Sequence, residues 1–178
     1  MSRHFNMNEI DVLNIPTRDL PLFVLSSNKV SPFSQGIQLW TSSIWNHAMW
    51  MVRPQRLITQ GLTLREVPIQ HFLRGKHSLK FWYNPDWTQE DKILIRRKLR
   101  EQLNRPLYNR VYDWFGIVGQ GIRNPVLQFN NRMYCSEMAS EVFSAVEPYM
   151  DKHPSPAELD HWCQAARRMK VYGEYYVG

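Results

Sequence analysis

A chain of 178 residues, 43% apolar and carrying seven tryptophans, can bury one substantial core and is short for two. Its two cysteines, Cys135 and Cys163, fall on separate predicted helices, which excludes a disulfide framework and a cysteine metal cluster. The formal charge of +6 invites an anionic partner, but Lys92, Arg96, Arg97, Lys98 and Arg100 crowd one helix-like stretch with no nucleic-acid motif beside it, so a solvated helix face is expected and no nucleic acid.

The opening M-S-R-H-F-N-M-N-E-I-D lacks the apolar segment of a secretory leader, and residues 1–18 are expected as a loosely held lead-in to a single domain over 19–178. Leu20–Leu25 is interrupted by Pro21 and too short to span a bilayer. A product without an integral membrane segment, cytoplasmic as made, is therefore expected, and work elsewhere would need another delivery route.

The run D-L-P-L-F-V-L from Asp19 to Leu25 suits a buried strand, and Ser26–Pro32 reads as loop. Phe33–Ile44 spaces Phe33, Ile37, Trp40 and Ile44 as a helix face. Trp45–Val52 predicts a strand on which His47, Met49 and Met51 share one face and Ala48, Trp50 and Val52 the other. The R-P-Q-R turn leads to a strand from Leu57 to Gln60, after which Leu62, Leu64 and Val67 are expected to point inward. Leu79–Tyr83 predicts another strand.

Thr88, with Asp91 following it, can cap a helix whose inner face holds Ile93, Ile95, Leu99 and Leu103 and which Pro106 stops. A second helix is expected over Tyr108–Val118. Ser155 with Glu158 repeats the capping box before a short helix that carries Cys163 as a buried thiol, and V-Y-G-E-Y-Y predicts an edge strand. His71, His77, His153 and His161 have no spaced partners and are expected on the surface or in structural roles.

The stretch M-Y-C-S-E-M-A-S-E-V-F concentrates the chemistry. Ala139, Val142, Phe143 and Val146 recur at helical spacing, so Cys135 lies in the first turn of a helix. Unpaired N–H groups and the positive end of the helix dipole there favour thiolate, the nucleophilic form of cysteine.

In order, strand-borne His47 in W-N-H-A, a two-strand turn, two helices and then Y-C-S-E opening a helix, the chain resembles the circularly permuted branch of the NlpC-type papain-like cysteine peptidases, cousins of the lecithin retinol acyltransferase group. D-L-P-L-F is similar to the family's opening strand, and L-I-T-Q-G with L-R-E-V-P-I-Q-H-F to its next two. The resemblance implies an α+β fold with an antiparallel sheet packed on helices and the nucleophile at a helix N-terminus. It also implies Cys135 as nucleophile, His47 as base, and a polar residue on the neighbouring strand to orient the imidazole. That position falls on Thr59, which is uncharged; Gln60 is the stronger orienter but needs a bulge to reach the same face. Tyr134, Ser136, Trp45 and Tyr112 are candidate substrate contacts, with Asp113 beside them.

Such a pair would cleave an amide in a peptide, with a cell-wall peptide among the candidate substrates, through an acyl-enzyme, with no cofactor or metal. Two alternatives stay open: a lipid or thioester acyl donor on the same site, or a non-catalytic protein that keeps the fold.

Overall fold

Strand β1 (Leu22–Ser27) is apolar over most of its length because it lies inside a sheet covered on both faces, and all six of its residues are buried. The computed structural model describes residues 12–28, 43–75, 77–110, 135–147 and 154–176. Around β1 run β2 (His47–Arg53), β3 (Arg56–Gln60), β4 (Leu64–Pro68), β5 (Ser78–Tyr83) and β6 (Lys170–Tyr175), in the antiparallel order β4-β3-β2-β1-β5-β6. The protein is thus α+β with a six-stranded antiparallel sheet, and the C-terminal strand lies at an edge as its pattern predicts.

Alternation along each strand divides the core. On one face Phe23, Leu25, Ala48, Trp50, Ile58 and Trp82 meet the helices α2 (Gln89–Leu103), α3 (Cys135–Phe143) and α4 (Pro156–Ala165). Phe143 on α3 is its hub, with ring centroids 4.8 Å from Phe23, 4.7 Å from Trp50 and 5.4 Å from Trp162. On the other face Val24, Met49, Met51, Leu57 and Phe81 are covered by Ile69, Phe72 and Leu73 of the segment holding α1 (Gln70–Arg74), and by Val12 and Ile15. The end of the lead-in is therefore anchored in the core, contrary to a loose tether.

Several local expectations shift. The first strand begins at Leu22, after a 3-10 turn at Thr17–Asp19 and a cis Leu20–Pro21 bond, and it takes in Ser26 and Ser27, which the polar composition suggested as loop. Leu62 does not point inward: it is 73% exposed in the turn before β4. Ile93 is 60% exposed because the buried stripe of α2 follows Ile95 and Leu99. Only the start of the helix expected over Tyr108–Val118 is described, where Leu107–Asn109 is a 3-10 turn; the helix expected over Phe33–Ile44 lies outside the described residues apart from its end.

Both capping boxes form. Thr88 Oγ1 accepts from Asp91 N at 3.2 Å while Asp91 Oδ2 accepts from Thr88 N at 2.9 Å, and Ser155 and Glu158 repeat the exchange. Thr88→Ala leaves an orphan N–H at the start of α2 and is expected to cost about 1 kcal/mol, read as a shift of the denaturant midpoint without a change of slope. The basic face of α2 works structurally: Arg96 Nη2 donates to the Leu20 carbonyl at 2.9 Å and Lys92 Nζ to that of Arg18 at 3.3 Å, while Arg97 and Lys98 meet Glu101. Among the described residues no helix is long and apolar enough to cross a membrane.

Candidate active site

His47 is the first residue of β2, and the register pairs Met49 with Thr59, so the period of two sends His47 and Thr59 to the same face. Their side chains meet there: His47 Nε2 and Thr59 Oγ1 are 2.5 Å apart. The β2–β3 hairpin has its one irregularity between Met51 and Arg53, well away from Thr59. Gln60 therefore points to the opposite side and donates from Nε2 to the Arg110 carbonyl at 2.8 Å, which corrects its candidacy as orienter.

Burial holds the His47 pKa down to about 4, and nearby His77 adds to the depression. The ring is thus neutral at neutral pH. In the tautomer that donates Nε2–H to Thr59, Nδ1 keeps a lone pair able to take a proton.

Cys135 is the first described residue of α3 and is 3% exposed. Two anchors give the direction of the helix. Phe143 packs at the level of Trp50 and Phe23, and just beyond it Glu147 Oε1 accepts from Asn84 Nδ2 at 2.9 Å, past the end of β5. From Phe143 back to Cys135 the helix rises about 12 Å, and from Trp50 back to His47 the strand spans about 10 Å. Nucleophile and base candidates thus start their elements toward the same end of the sheet. They reach it from different sides of β2: α3 covers the Ala48 and Trp50 face, whereas the His47 ring stacks on Phe72, at 6.2 Å between centroids and 21° between planes.

The other candidates separate. Ser136 is fully buried, its hydroxyl without a partner among the described residues, and does not line an open cleft. Trp45 is also packed into the core, with the Lys80 ammonium 5.8 Å from its ring centroid, because its large apolar face is worth more buried than open. Tyr134, Tyr112 and Asp113 lie outside the described residues. Cys163 is buried as expected, and burial, followed by the Asp160 carboxylate, pushes its thiol pKa up.

Two features escaped the sequence. His77, far along the chain from His47, shares its aromatic neighbour: the Phe72 ring is 5.0 Å from His77 at 76°. Only the return of the chain through α1 brings these rings together, so no spacing rule could have found them. An open groove also runs from Ser43, just before Trp45, along α4, where Asp160, His161, Trp162 and Gln164 line it.

Burial likewise holds His77 at a pKa of about 4, with His71 contributing. Both groups have native pKa values below the ordinary 6.5. The unfolded chain therefore binds protons that the fold refuses as pH drops from about 6.5 to about 4, and stability should fall across that window. Allowing for screening at their exposed edges, the loss is of order 2 kcal/mol. Urea midpoints at pH 7 and pH 4.5 will check it, His47→Gln and His77→Gln each reducing the difference.

No protein-family model matches the chain, and no curated protein matches it. Among solved structures it is similar to the metalloprotein yiiX from Escherichia coli O157:H7, with a TM-score of 0.56 and 12% identity over 88% of this chain and 97% of that one. At that identity the likeness concerns the fold alone.

Proposed function

We propose that the protein is a cysteine hydrolase of the permuted papain-like, NlpC type that cleaves an amide bond in a peptide, with Cys135 as nucleophile and His47 as base. The observation that carries the reading is the start of α3, bearing Cys135, laid toward the end of the sheet where β2 begins with His47 bonded to Thr59. The reversed order of histidine before cysteine and the α+β fold support it.

In this reading Thr59 accepts Nε2–H and holds the tautomer whose Nδ1 removes the Cys135 proton as sulfur attacks the carbonyl carbon. The N–H groups that open α3 stabilise the oxyanion, the proton on His47 goes to the leaving amine, and water activated by the same ring releases the acyl group. The uncharged Thr59 orients the ring but adds little to the stability of an imidazolium, so the proton moves in concert with attack and no ion pair forms beforehand. The solved neighbour is described as a metalloprotein. Among the described residues of this chain no three His, Cys, Asp or Glu side chains gather to hold a metal ion.

The test is to trap the intermediate. Muropeptides and short-chain thioesters are offered in parallel, the reaction is quenched in acid, and the cysteine peptides are weighed. An acyl mass on Cys135 that is absent from Cys163 and lost in His47→Ala supports the reading, and the substrate that turns over divides peptide from lipid or thioester chemistry. No adduct on Cys135 with any donor leaves a non-catalytic protein with the same fold.

A further inference from the structure

The register draws one row of residues across the sheet. Gln60 on β3 pairs with Leu64 on β4, His47 on β2 with Ser26 on β1, Ser26 with Leu79 on β5, and Leu79 with Tyr175 on β6. Met49 faces Thr59, so Gln60 lies beside the start of β2 and belongs to the same row. Just past that row come Leu62 in the β3–β4 turn, Ile44 ahead of β2 and Tyr176 behind β6. Leu107 joins them, because the Arg110 carbonyl accepts from Gln60 Nε2 at 2.8 Å and from Leu64 N at 3.0 Å and so ties the Leu107–Asn109 turn to this end. Leu62 is 73% exposed, Leu107 61%, and Ile44 and Tyr176 48% each. Among the described residues the one other exposed large apolar side chain is Ile93, near the opposite end of α2. Apolar side chains scattered singly over a surface need no partner, but these four share one end of a sheet about 24 Å wide, which fits a broad, flat partner better than a small ligand.

The charge at this end selects the partner. Arg65, opposite Thr59 on β4, and Arg74, which ends α1 beside His77, are exposed and make no ion pair among the described residues. Glu174, the carboxylate beside Tyr176, is buried against Lys80 and accepts the Tyr176 hydroxyl at 3.0 Å. A bilayer surface with anionic headgroups satisfies all three kinds of group: aliphatic side chains enter the acyl boundary, the tyrosine ring sits at headgroup level, and the guanidinium groups meet phosphate. A nucleic acid would take up the arginines and leave the leucines in water, and a second copy docked end to end would meet its own positive charge. We propose that this end of the sheet is a docking face for an anionic lipid surface, with Leu62, Leu107, Ile44 and Tyr176 entering the interface. The face stands on this geometry alone. A consequence that rests on the hydrolase reading is that Cys135 and His47, which lie toward the same end, meet their substrate at the membrane surface.

The experiment sediments vesicles of phosphatidylcholine and phosphatidylglycerol in equal parts with the wild type, Leu62→Ser, Leu107→Ser, Arg65→Gln and Ile93→Ser, and measures the protein left free. The wild type is expected to sediment with the vesicles at low salt, and to do so less at high salt or on pure phosphatidylcholine. Leu62→Ser and Leu107→Ser should each weaken the partition by about tenfold, and Arg65→Gln by about fivefold. Ile93→Ser, an equally exposed position away from the face, should leave it unchanged. Absence of the wild type from the vesicle pellet overturns the proposal, as does an equal loss in Ile93→Ser. A dimer in lipid-free solution that dissociates in Leu62→Ser also overturns it, since the face then belongs to a second copy. The two readings part cleanly: vesicle binding that persists in Cys135→Ala while no donor is hydrolysed by the wild type keeps the docking face and removes the hydrolase, whereas Cys135-dependent hydrolysis of soluble donors without vesicle binding does the reverse.

Discussion

In the proposed hydrolase, Cys135→Ala will abolish acyl transfer, lowering amide hydrolysis by at least about a thousandfold, and His47→Ala will cost nearly as much. The double variant will lose little more than either single one, because nucleophile and base act as one unit. That non-additivity is the diagnostic, measured as kcat/KM for the four proteins on the same substrate. Two independent losses that multiply would mean that His47 acts on something other than the thiol. Neither substitution should unfold the protein, since the α3 core contacts are made by Met138, Ala139, Val142 and Phe143. Thr59→Val keeps the shape and removes the hydroxyl bonded to Nε2, and a smaller loss confined to kcat would identify Thr59 as the orienter.

Removal of the Asp160 carboxylate will destabilise the fold by about 3 kcal/mol, because it leaves a buried cation with only the more distant Glu174 and strips Trp82 and Gln164 of their acceptor. Lys80 on β5 is 8% exposed; its ammonium lies 2.9 Å from Asp160 on α4 and 3.8 Å from Glu174 on β6, and 4.5 Å from the Trp82 ring centroid. Asp160 also accepts from Trp82 Nε1 at 3.1 Å and from Gln164 Nε2 at 2.6 Å. This network ties α4 and the edge strand to the sheet beside the buried Cys163. Thermal melts should show Asp160→Ala lower by about 10 °C, with Lys80→Met restoring part of the loss in the double variant because the stranded charge goes with it. A double variant as unstable as the sum of the two singles would show that Lys80 and Asp160 do not depend on one another.

The strands and capped helices were legible because each rests on local chemistry. Alternation placed Met49 and Trp50 on opposite faces, and the pairs Thr88 with Asp91 and Ser155 with Glu158 marked two helix starts. Errors came where a residue could satisfy its own pattern and still be overruled by a neighbour. Leu62 continues an apolar alternation but falls in a turn, and Ile93 fits a helical stripe whose centre of contact lies one turn further along at Ile95 and Leu99. The choice between Thr59 and Gln60 turned on register alone, and a regular ladder at that point decided it for Thr59.

The sequence by itself determined the strands and their turns, the two capped helices, and a cysteine in the first turn of a helix preceded in the chain by a strand-borne histidine, since periodicity, capping and turn chemistry act over a few residues; the α+β class came with the family resemblance. Only the tertiary structure decided that Trp45 and Ser136 are packed away, that Lys80 is locked between two carboxylates, and that His77 joins His47 around Phe72. Those outcomes depend on which distant segments share a face of the sheet, and on burial, which sets the charge of an imidazole from surroundings that no local spacing records.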